Sequence, residues 1–277
     1  MITTVAGTAV TTTGGHTGED DGGATGGTDR PGYGGPRRAA DVHVWTWRTP
    51  GTPDPADLLL LDEDERARVH RCRHPRDAAA LARTRAGARR ALGGLLGTSP
   101  AEVSLGNAPC SGCGSRRHGP PLLLRPALSD PPGLSLARTE GCGVLAVCAG
   151  TSVGIDVEAV RSVDAEGLAE VVLTERERAH VLGVPEGPVR ALRHFRCWTR
   201  KEAVVKAAGT GLMAAELTRL EVYPEESAPV RVELRVRGRR STWWQVRDVP
   251  LDGPWTAAVA HPETSLPPGR LVVHPES

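Results

Sequence analysis

Two long helical stretches, each accompanied by short strands, constrain what this chain can fold into. Alanine, leucine and arginine dominate residues 76–96, and a second helical stretch covers residues 189–208. Alternating side chains typical of strands occur beside both stretches, beginning with residues 41–47. A few strands and one long helix in each half of the chain predict an α+β fold.

Short β-branched and aromatic runs give the other predicted strands. They cover residues 134–136, 144–148, 153–158, 220–223, 230–236, 243–246 and 255–260. A shorter helical stretch covers residues 165–182, whereas Gly, Pro and Cys make residues 106–133 typical of a loop. The turn at residues 150–152 separates the two halves.

These patterns divide the chain into four parts. Residues 1–40 are rich in Gly and Thr and have almost nothing to bury, so we predict a disordered tail. Residues 41–150 form the predicted N-terminal α+β half, and residues 151–265 form the C-terminal half. We interpret residues 266–277 as a C-terminal tail.

Composition excludes several classes of protein. The net charge is +1 and the basic residues are spread along the chain, which argues against a nucleic-acid-binding surface. Six cysteines in 277 residues are too few for a disulfide scaffold. Since we also find no signal peptide and no apolar run long enough for a membrane span, we expect a soluble cytoplasmic protein without a membrane partner.

Lysine is confined to one place in the chain. All but two of the 34 lysine and arginine residues are arginine, and the two lysines, Lys201 and Lys206, lie five residues apart. An ammonium group is a compact charge on a flexible stem, whereas a guanidinium group is a planar fork. The segment around these lysines is therefore a candidate functional site that needs an ammonium group and not a guanidinium group.

Two acidic residues lie on one predicted strand. Asp156 and Glu158 are two residues apart, so both carboxylates project from the same face while Val157 points the other way. Oxygen ligands of this kind suit Mg²⁺ or Mn²⁺, whose coordination is commonly completed by substrate phosphate oxygens. An exposed acidic strand edge is the alternative.

A third carboxylate lies on the second long helix. Glu202 and Lys206 are i,i+4 neighbours, which places a carboxylate one helical turn from an ammonium group. This pair is either a surface salt bridge or a further metal ligand and general base beside a phosphate-neutralising lysine. Gly209 and Gly211 then permit a sharp turn or a close approach to a ligand.

Together these motifs resemble a known family. The sequence Gly-Ile-Asp-Val-Glu at 154–158, followed by Trp-x-x-Lys-Glu-Ala-x-x-Lys-x-x-Gly-x-Gly at 198–211, is similar to the paired motifs of 4'-phosphopantetheinyl transferases of the larger surfactin-synthetase-activating (Sfp) type. The similarity extends weakly over residues 41–262. It implies a monomer of two similar α+β halves related by pseudo-twofold symmetry, with coenzyme A in the cleft between them and Mg²⁺ on its pyrophosphate.

The resemblance also implies a reaction and a set of site residues. Such a transferase moves the 4'-phosphopantetheine arm of coenzyme A onto a serine of an acyl or peptidyl carrier protein and releases adenosine 3',5'-bisphosphate. Asp156, Glu158 and Glu202 would bind the metal. Glu202 would also help to deprotonate the serine, and Lys206 would stabilise the leaving group. The coenzyme A contacts implied are Arg89, with Arg85 and Arg90 as neighbouring candidates, and His118, Arg138, Thr139, Lys201 and Lys206.

Two phosphate-binding motifs of the family are altered in the first half. Pro120 stands where the family has the lysine of Gly-Lys-Pro, so that a charge and an amide donor are both missing. Ala137, Arg138 and Thr139 stand where the family has Ser-His-Ser. Arg138 supplies a charged donor in place of the imidazole, and Thr139 keeps a hydroxyl.

Other interpretations remain open from the sequence. If residues 76–96 form a helix, Arg83, Arg89 and Arg90 share a face, which would ordinarily be a solvated arginine face. Cys110, Cys113 and His118 have the spacing of a partial zinc site, which Cys142 or Cys148 would have to complete, and ordinary buried or loop cysteines are the alternative that we favour. The alternative functions are a carrier-protein-binding homologue without turnover and a metal-dependent nuclease.

Overall fold

The structure is a computed structural model that describes residues 41–110, 114–116, 119–212, 215–236, 240–264 and 269–274. The predicted tail at residues 1–40 lies outside these ranges, as do Cys113 and His118.

The strands are β1 Val42–Arg48, β2 Ser104–Asn107, β3 Pro121–Arg125, β4 Gly133–Thr139, β5 Cys142–Cys148, β6 Gly154–Ala159, β7 Val230–Leu234, β8 Thr242–Asp248, β9 Trp255–Pro262 and β10 Leu271–His274. The helices are α1 Pro55–Leu58, α2 Glu63–His70, α3 Pro75–Leu96, α4 Ala165–Val172, α5 Glu175–Leu182 and α6 Pro188–Ala208.

Two four-stranded sheets, each packed against one long helix, form the fold. The first sheet has the order β10-β1-β5-β4 and packs against α3, and the second has the order β6-β9-β8-β7 and packs against α6. Strands β2 and β3 form a separate antiparallel pair. The mixed α+β class predicted from the sequence is therefore confirmed.

Local sequence explains where the helices begin and end. Proline occupies the first turn of both long helices, where its missing N–H is not needed, and Gly97 and Gly209 end them with left-handed φ angles of 66° and 63°. Asp62 with Glu65 caps α2, and Thr174 with Glu177 caps α5, each pair forming a capping box. Glu65 and Glu177 are also buried, so each cap brings a carboxylate into the interior.

A hydrophobic core crosses from one half of the chain to the other. Val42, Val44 and Val144 of the first sheet pack in one cluster with Ile155 and Val157 of β6. The edge strands β4 and β6 also meet through side-chain hydroxyl groups, described below. The two halves thus share buried surface in addition to their separate cores.

Four predictions from the sequence need correction. Residues 106–133 are not a continuous loop, because they include the end of β2 and all of β3. Arg138 and Thr139 belong to β4 and not to the connection after it. Residues 266–277 are not simply a tail, because β10 pairs in parallel with β1 at the edge of the first sheet.

The fourth correction concerns residues 220–223, which do not form the predicted strand. Leu220 and Val222 are buried, but side chains of α6 donate to the carbonyl oxygen atoms of this segment in place of a neighbouring strand. The alternating pattern of residues 220–223 therefore reflects the burial of Leu220 and Val222 and does not indicate pairing with another strand.

Helix α6 lies so close to β6 that one position between them must be glycine. A Cβ atom on Gly154 would lie 2.0 Å from the carbonyl oxygen of Ala203 and 2.4 Å from the amide nitrogen of Ala207. Backbone atoms of a helix cannot move aside as a flexible side chain can. The glycine at the start of the 154–158 motif therefore sets the distance between the strand and the helix.

We expect Gly154→Ala to lower the free energy of unfolding by about 3 kcal/mol or more, at or above the upper end of the usual cost of overpacking. Gly94→Ala is the control, because nothing lies within 4 Å of its added Cβ and the helix gains up to about 1 kcal/mol. Urea unfolding followed by circular dichroism measures both. Equal stability of the two variants would contradict the close approach.

Candidate active site

Acidic side chains of β6 and α6 face each other at the point where Gly154 brings the two elements together. Asp156 is only 6 % exposed and Glu158 is half-buried, while Ile155 and Val157 on the other face of β6 enter the shared core. Asp156 and Glu158 therefore share a face, as the strand pattern predicted. Glu202, on α6, is 8 % exposed.

Lys206 joins the two elements. Its Nζ donates to Asp156 Oδ1 at 2.7 Å and to the carbonyl oxygen of Ile155 at 3.2 Å. Burial by itself lowers the pKa of this ammonium group, but Asp156 and then Glu202 act in the opposite direction, and the net pKa is raised. Lys206 is thus held in its charged form beside the carboxylates.

Burial raises the pKa of all three carboxyl groups. Desolvation is the largest cause for Glu202, whose pKa rises to about 7, with Lys206 lowering it and Asp156 and Glu158 raising it further. Desolvation also raises the pKa of Asp156 against the attraction of Lys206. The pKa of Glu158 is raised by desolvation and then by Asp156. A carboxyl group with a pKa near neutrality can exchange a proton at physiological pH.

The carboxylates do not already form a metal ligand shell. Across the described part of the chain, no three or more His, Cys, Asp or Glu side chains are grouped so that they could hold a metal ion. One observation nevertheless fits a cation at this place. Asp156 Oδ2 is buried and has no hydrogen-bond partner among the described residues, which is costly for a carboxylate oxygen unless another ligand binds it.

Lys201 is not in this site, which corrects its predicted role as a coenzyme A contact. The side chain is fully buried, and its Nζ lies 2.7 Å from Glu177 Oε2 and donates to the carbonyl oxygen atoms of Leu217, at 2.7 Å, and Leu220. An ammonium group has three protons, so none remains for a phosphate. Because five residues correspond to about 140° around a helix, Lys201 and Lys206 point to opposite sides of α6.

The arginine residues of α3 are not a solvated face. Arg83 and Arg90 both bind the buried carboxylate of Asp57, at 2.6 Å and 2.7 Å. Arg89 is 3 % exposed and pairs with Glu65 Oε2 at 2.8 Å. Arg89 and Arg90, which were predicted to contact coenzyme A, instead form ion pairs with acidic residues of α2 and α1, respectively.

Arg85 and Arg138 have a different environment. The pKa of Arg85 is lowered to about 10, chiefly by burial and also by the positive charges of Arg68, Arg138 and Arg89, against the attraction of Glu65, whose Oε1 lies 3.5 Å from Arg85 Nε. Arg138 keeps exposed surface, and desolvation followed by repulsion from Arg68 lowers its pKa as well. Arg68, Arg85 and Arg138 therefore lie close enough to repel one another, while Glu65 and Asp77 offset part of this positive charge.

Thr139 contacts the acidic residues directly. Its hydroxyl group donates to Glu158 Oε2 at 3.3 Å and accepts a hydrogen bond from the amide of Ala159 at 3.2 Å. This residue, predicted to contact a phosphate, thus lies between the arginine cluster of the first half and β6. His118, the neighbouring predicted contact, lies outside the described residues, and so does Cys113 of the zinc motif.

Two cavities lie beside this region. One, of about 230 Å³, is lined by residues 160–163 after β6 and by the start of α6. The other, of about 800 Å³, is lined in the first half by Asp62, Arg89 and Arg125 among others. Neither is lined by Asp156, Glu158 or Glu202, so the site is defined by the facing side chains and not by a cavity.

Two comparisons with known proteins show what this chain is similar to. Residues 152–260, which include β6 and α6, match the model of the 4'-phosphopantetheinyl transferase superfamily. The chain is also 27 % identical over 225 residues to the 4'-phosphopantetheinyl transferase HetI of Nostoc sp. (strain PCC 7120 / SAG 25.82 / UTEX 2576), covering 79 % of this chain and 87 % of that protein. The acidic site of this chain thus lies in a segment that is similar to the 4'-phosphopantetheinyl transferase superfamily. Both matches support transferase activity, and the protein is a transferase.

Within the described residues, no helix is both long and apolar enough to cross a bilayer.

Several important residues of this protein were missed by the sequence patterns. Glu177, which binds Lys201, was part of a predicted helix with no assigned role, although the spacing Thr-x-x-Glu at 174–177 is that of a capping box. No local sequence pattern pointed to Arg200, which is fully buried and binds Asp248 at 2.7 Å. Its partner lies 48 residues away in sequence, so only the fold brings the two together.

We expect Lys201→Met to lower the free energy of unfolding by about 3 to 5 kcal/mol, because it leaves the Glu177 carboxylate buried without its counter-charge. Urea unfolding of Lys201→Met, Glu177→Gln and the double variant measures the coupling, which we expect to be about 2 kcal/mol or more. Arg235→Met is the control, because its pair with Glu233 is exposed to solvent and such pairs contribute little to stability. Equal costs for Lys201→Met and Arg235→Met would contradict the structural role of Lys201.

Proposed function

We propose that this protein transfers the 4'-phosphopantetheine arm of coenzyme A to a serine of an acyl or peptidyl carrier protein, with Mg²⁺ as cofactor and adenosine 3',5'-bisphosphate as the second product. The observation that carries the proposal is Glu202, a buried carboxyl group with a pKa of about 7, facing Asp156 and Glu158 across the contact of β6 with α6. These residues lie within the part of the chain that matches the superfamily.

Asp156, Glu158 and Glu202, which are not grouped as a metal site in this structure, would have to converge to hold the metal, with Mn²⁺ as a substitute for Mg²⁺. Their mutual repulsion and the unpartnered Asp156 Oδ2 support this assignment, since hard cations prefer carboxylate oxygen. When bound, the ion would supply positive charge to the pyrophosphate of coenzyme A.

Glu202 would accept the proton of the carrier serine, directly or through a water molecule. A base with a pKa near the working pH combines a useful deprotonated fraction with adequate strength. As the serine oxygen forms its bond to the phosphorus of the pantetheine phosphate, the bond from that phosphorus to the oxygen of the adenosine phosphate breaks. Lys206, kept charged by Asp156 and Glu202, would stabilise the charge that develops on this leaving oxygen.

The coenzyme A phosphates would also contact the arginine cluster of the first half. Arg138 is the best candidate, because Arg89 and Arg90 pair with buried carboxylates at 2.8 Å and 2.7 Å and Arg85 lies 3.5 Å from the buried carboxylate of Glu65. Charge-assisted bonds from Arg138 would replace those of the histidine that the family usually has, and Arg68 and Arg85 would add positive charge absent at Pro120.

Finer features of the family also enter as proposals. We infer a monomer of the Sfp type in which the two halves are related by pseudo-twofold symmetry, and the pairing of one four-stranded sheet with one long helix in each half supports this. We also propose that the protein is located in the cytoplasm. A carrier-binding homologue without turnover and a nuclease are the alternatives that the following assay separates.

We expect apo-carrier proteins incubated with this protein, coenzyme A and Mg²⁺ to gain the mass of one phosphopantetheine arm, measured on the intact carrier. Glu202→Gln should lower the rate at least a hundredfold, because the amide is not a base and is a poorer metal ligand. Unfolding measurements confirm that the variant is folded. Failure of the wild-type protein to modify any of a panel of acyl and peptidyl carriers would sink the proposal, and cleavage of a phosphodiester substrate would favour the nuclease.

Arg138→Ala should raise the KM for coenzyme A about tenfold while changing kcat much less, because a charge-assisted contact to a phosphate is lost. Arg219→Ala is the matched control. It also removes one positive charge, but Arg219 is exposed and pairs only locally with Glu216. The assignment of Arg138 fails if both variants keep the wild-type KM.

A further inference from the structure

Two hydroxyl groups join the edge strands of the two sheets. The amide of Ile155 donates to Ser135 Oγ at 3.0 Å, and the amide of Ala159 donates to Thr139 Oγ1 at 3.2 Å. Both hydroxyl groups lie on β4 and both amides on β6, four residues apart in each strand. The hydroxyl oxygen atoms thus take the place that carbonyl oxygen atoms would have in a continuous sheet.

Among the described residues, only one of these two side chains contacts a carboxylate of the site. Thr139 Oγ1 also donates to Glu158 Oε2 at 3.3 Å, whereas Ser135 Oγ accepts a hydrogen bond from the amide of Ile155. With one proton to donate and lone pairs to accept, a threonine hydroxyl can make both bonds at once. Its position relative to β6 is therefore fixed by Ala159 while its proton is directed at Glu158.

Glu158 needs such a contact more than Asp156 does. Lys206 holds Asp156 by an ion pair of 2.7 Å. Glu158 is half-buried and repelled by Asp156, and although the charge of Arg161 attracts it, the two side chains form no ion pair among the described residues. A glutamate side chain with three rotatable bonds turns away from a neighbouring negative charge unless another group holds it. The Thr139 hydroxyl donates to the Glu158 carboxylate from the opposite half of the chain.

We propose that Thr139 is a positioning residue of the transfer reaction, which orients Glu158 for metal binding and does not itself contact a coenzyme A phosphate. The proposal rests on the proposed function, in which Glu158 is a metal ligand. Because Arg138 precedes Thr139 on β4, this one strand would both contact the cofactor and align the acidic site. The same hydroxyl group would thus couple the two halves in the reaction as well as in the fold.

Mn²⁺ binding to the full chain without coenzyme A tests the proposal, with the free ion measured by electron paramagnetic resonance. We expect Thr139→Val to weaken Mn²⁺ binding about tenfold and to raise the Mg²⁺ concentration for half-maximal transfer by a similar factor, with the KM for coenzyme A little changed. Thr139→Ser keeps the hydroxyl group and should retain wild-type values.

Ser135→Ala is the matched control, since it removes the same kind of link between β4 and β6 without touching Glu158. We expect it to lower the unfolding midpoint about as much as Thr139→Val does, but to leave Mn²⁺ binding unchanged. If Thr139→Val does not fold, Thr139→Cys takes its place with the same expectations.

The outcomes separate this proposal from the one on which it rests. Wild-type Mn²⁺ affinity in Thr139→Val overturns the positioning role while the proposed function stands, and so does an equal loss of affinity in Ser135→Ala. A raised KM for coenzyme A with unchanged Mn²⁺ binding in Thr139→Val would instead make Thr139 a cofactor contact. A wild-type protein that binds no Mn²⁺ and transfers no arm overturns both proposals.

Discussion

The buried ion pair of Lys201 with Glu177 is the interaction on which the site depends. It joins α6 to the start of α5, and the same lysine holds the carbonyl oxygen atoms of the 217–220 segment against the helix. Charges removed from water in this way contribute little net stability, but removing either partner leaves an uncompensated charge in the interior. The pair therefore restricts the rotation of α6 about its axis, and this rotation decides that Glu202 and Lys206 face β6.

Arg200 and Gly154 restrict the same helix from two further directions. Arg200 binds Asp248 and the carbonyl oxygen of Val222, and Gly154 allows the backbone of α6 to approach β6. A helix held on three sides can present a carboxylate with a raised pKa without moving away from the charges that raise it. Rigidity of this kind is what a preorganised site requires.

Much of the fold followed from periodicity, and so did the acidic half of the site. The spacing in β6 placed Asp156 and Glu158 on one face, and the i,i+4 relation placed Glu202 near Lys206. The role of Lys201 was mistaken because proximity in sequence was taken for proximity in space, although helical geometry alone puts it on the far side from Lys206. The partners of Lys201 and Arg200, and the pairing of β10 with β1, are non-local and could not be derived from one sequence.

The arginine-rich composition now has a physical explanation in two parts. Arg83, Arg89 and Arg90 neutralise carboxylates that α1 and α2 bury, and planar guanidinium groups suit such pairs because one fork can hold two oxygen atoms. Arg85 and Arg138 lie near one another and near Arg68, and Glu65 and Asp77 offset part of this positive charge. On β6 and α6 three buried or half-buried carboxyl groups lie near one lysine, and burial raises the pKa of all three. Arg138 and Thr139 are neighbours on β4, but successive side chains of a strand point to opposite faces, so the first half is connected to the acidic residues by the hydrogen bond of Thr139 to Glu158 and not by adjacency in sequence.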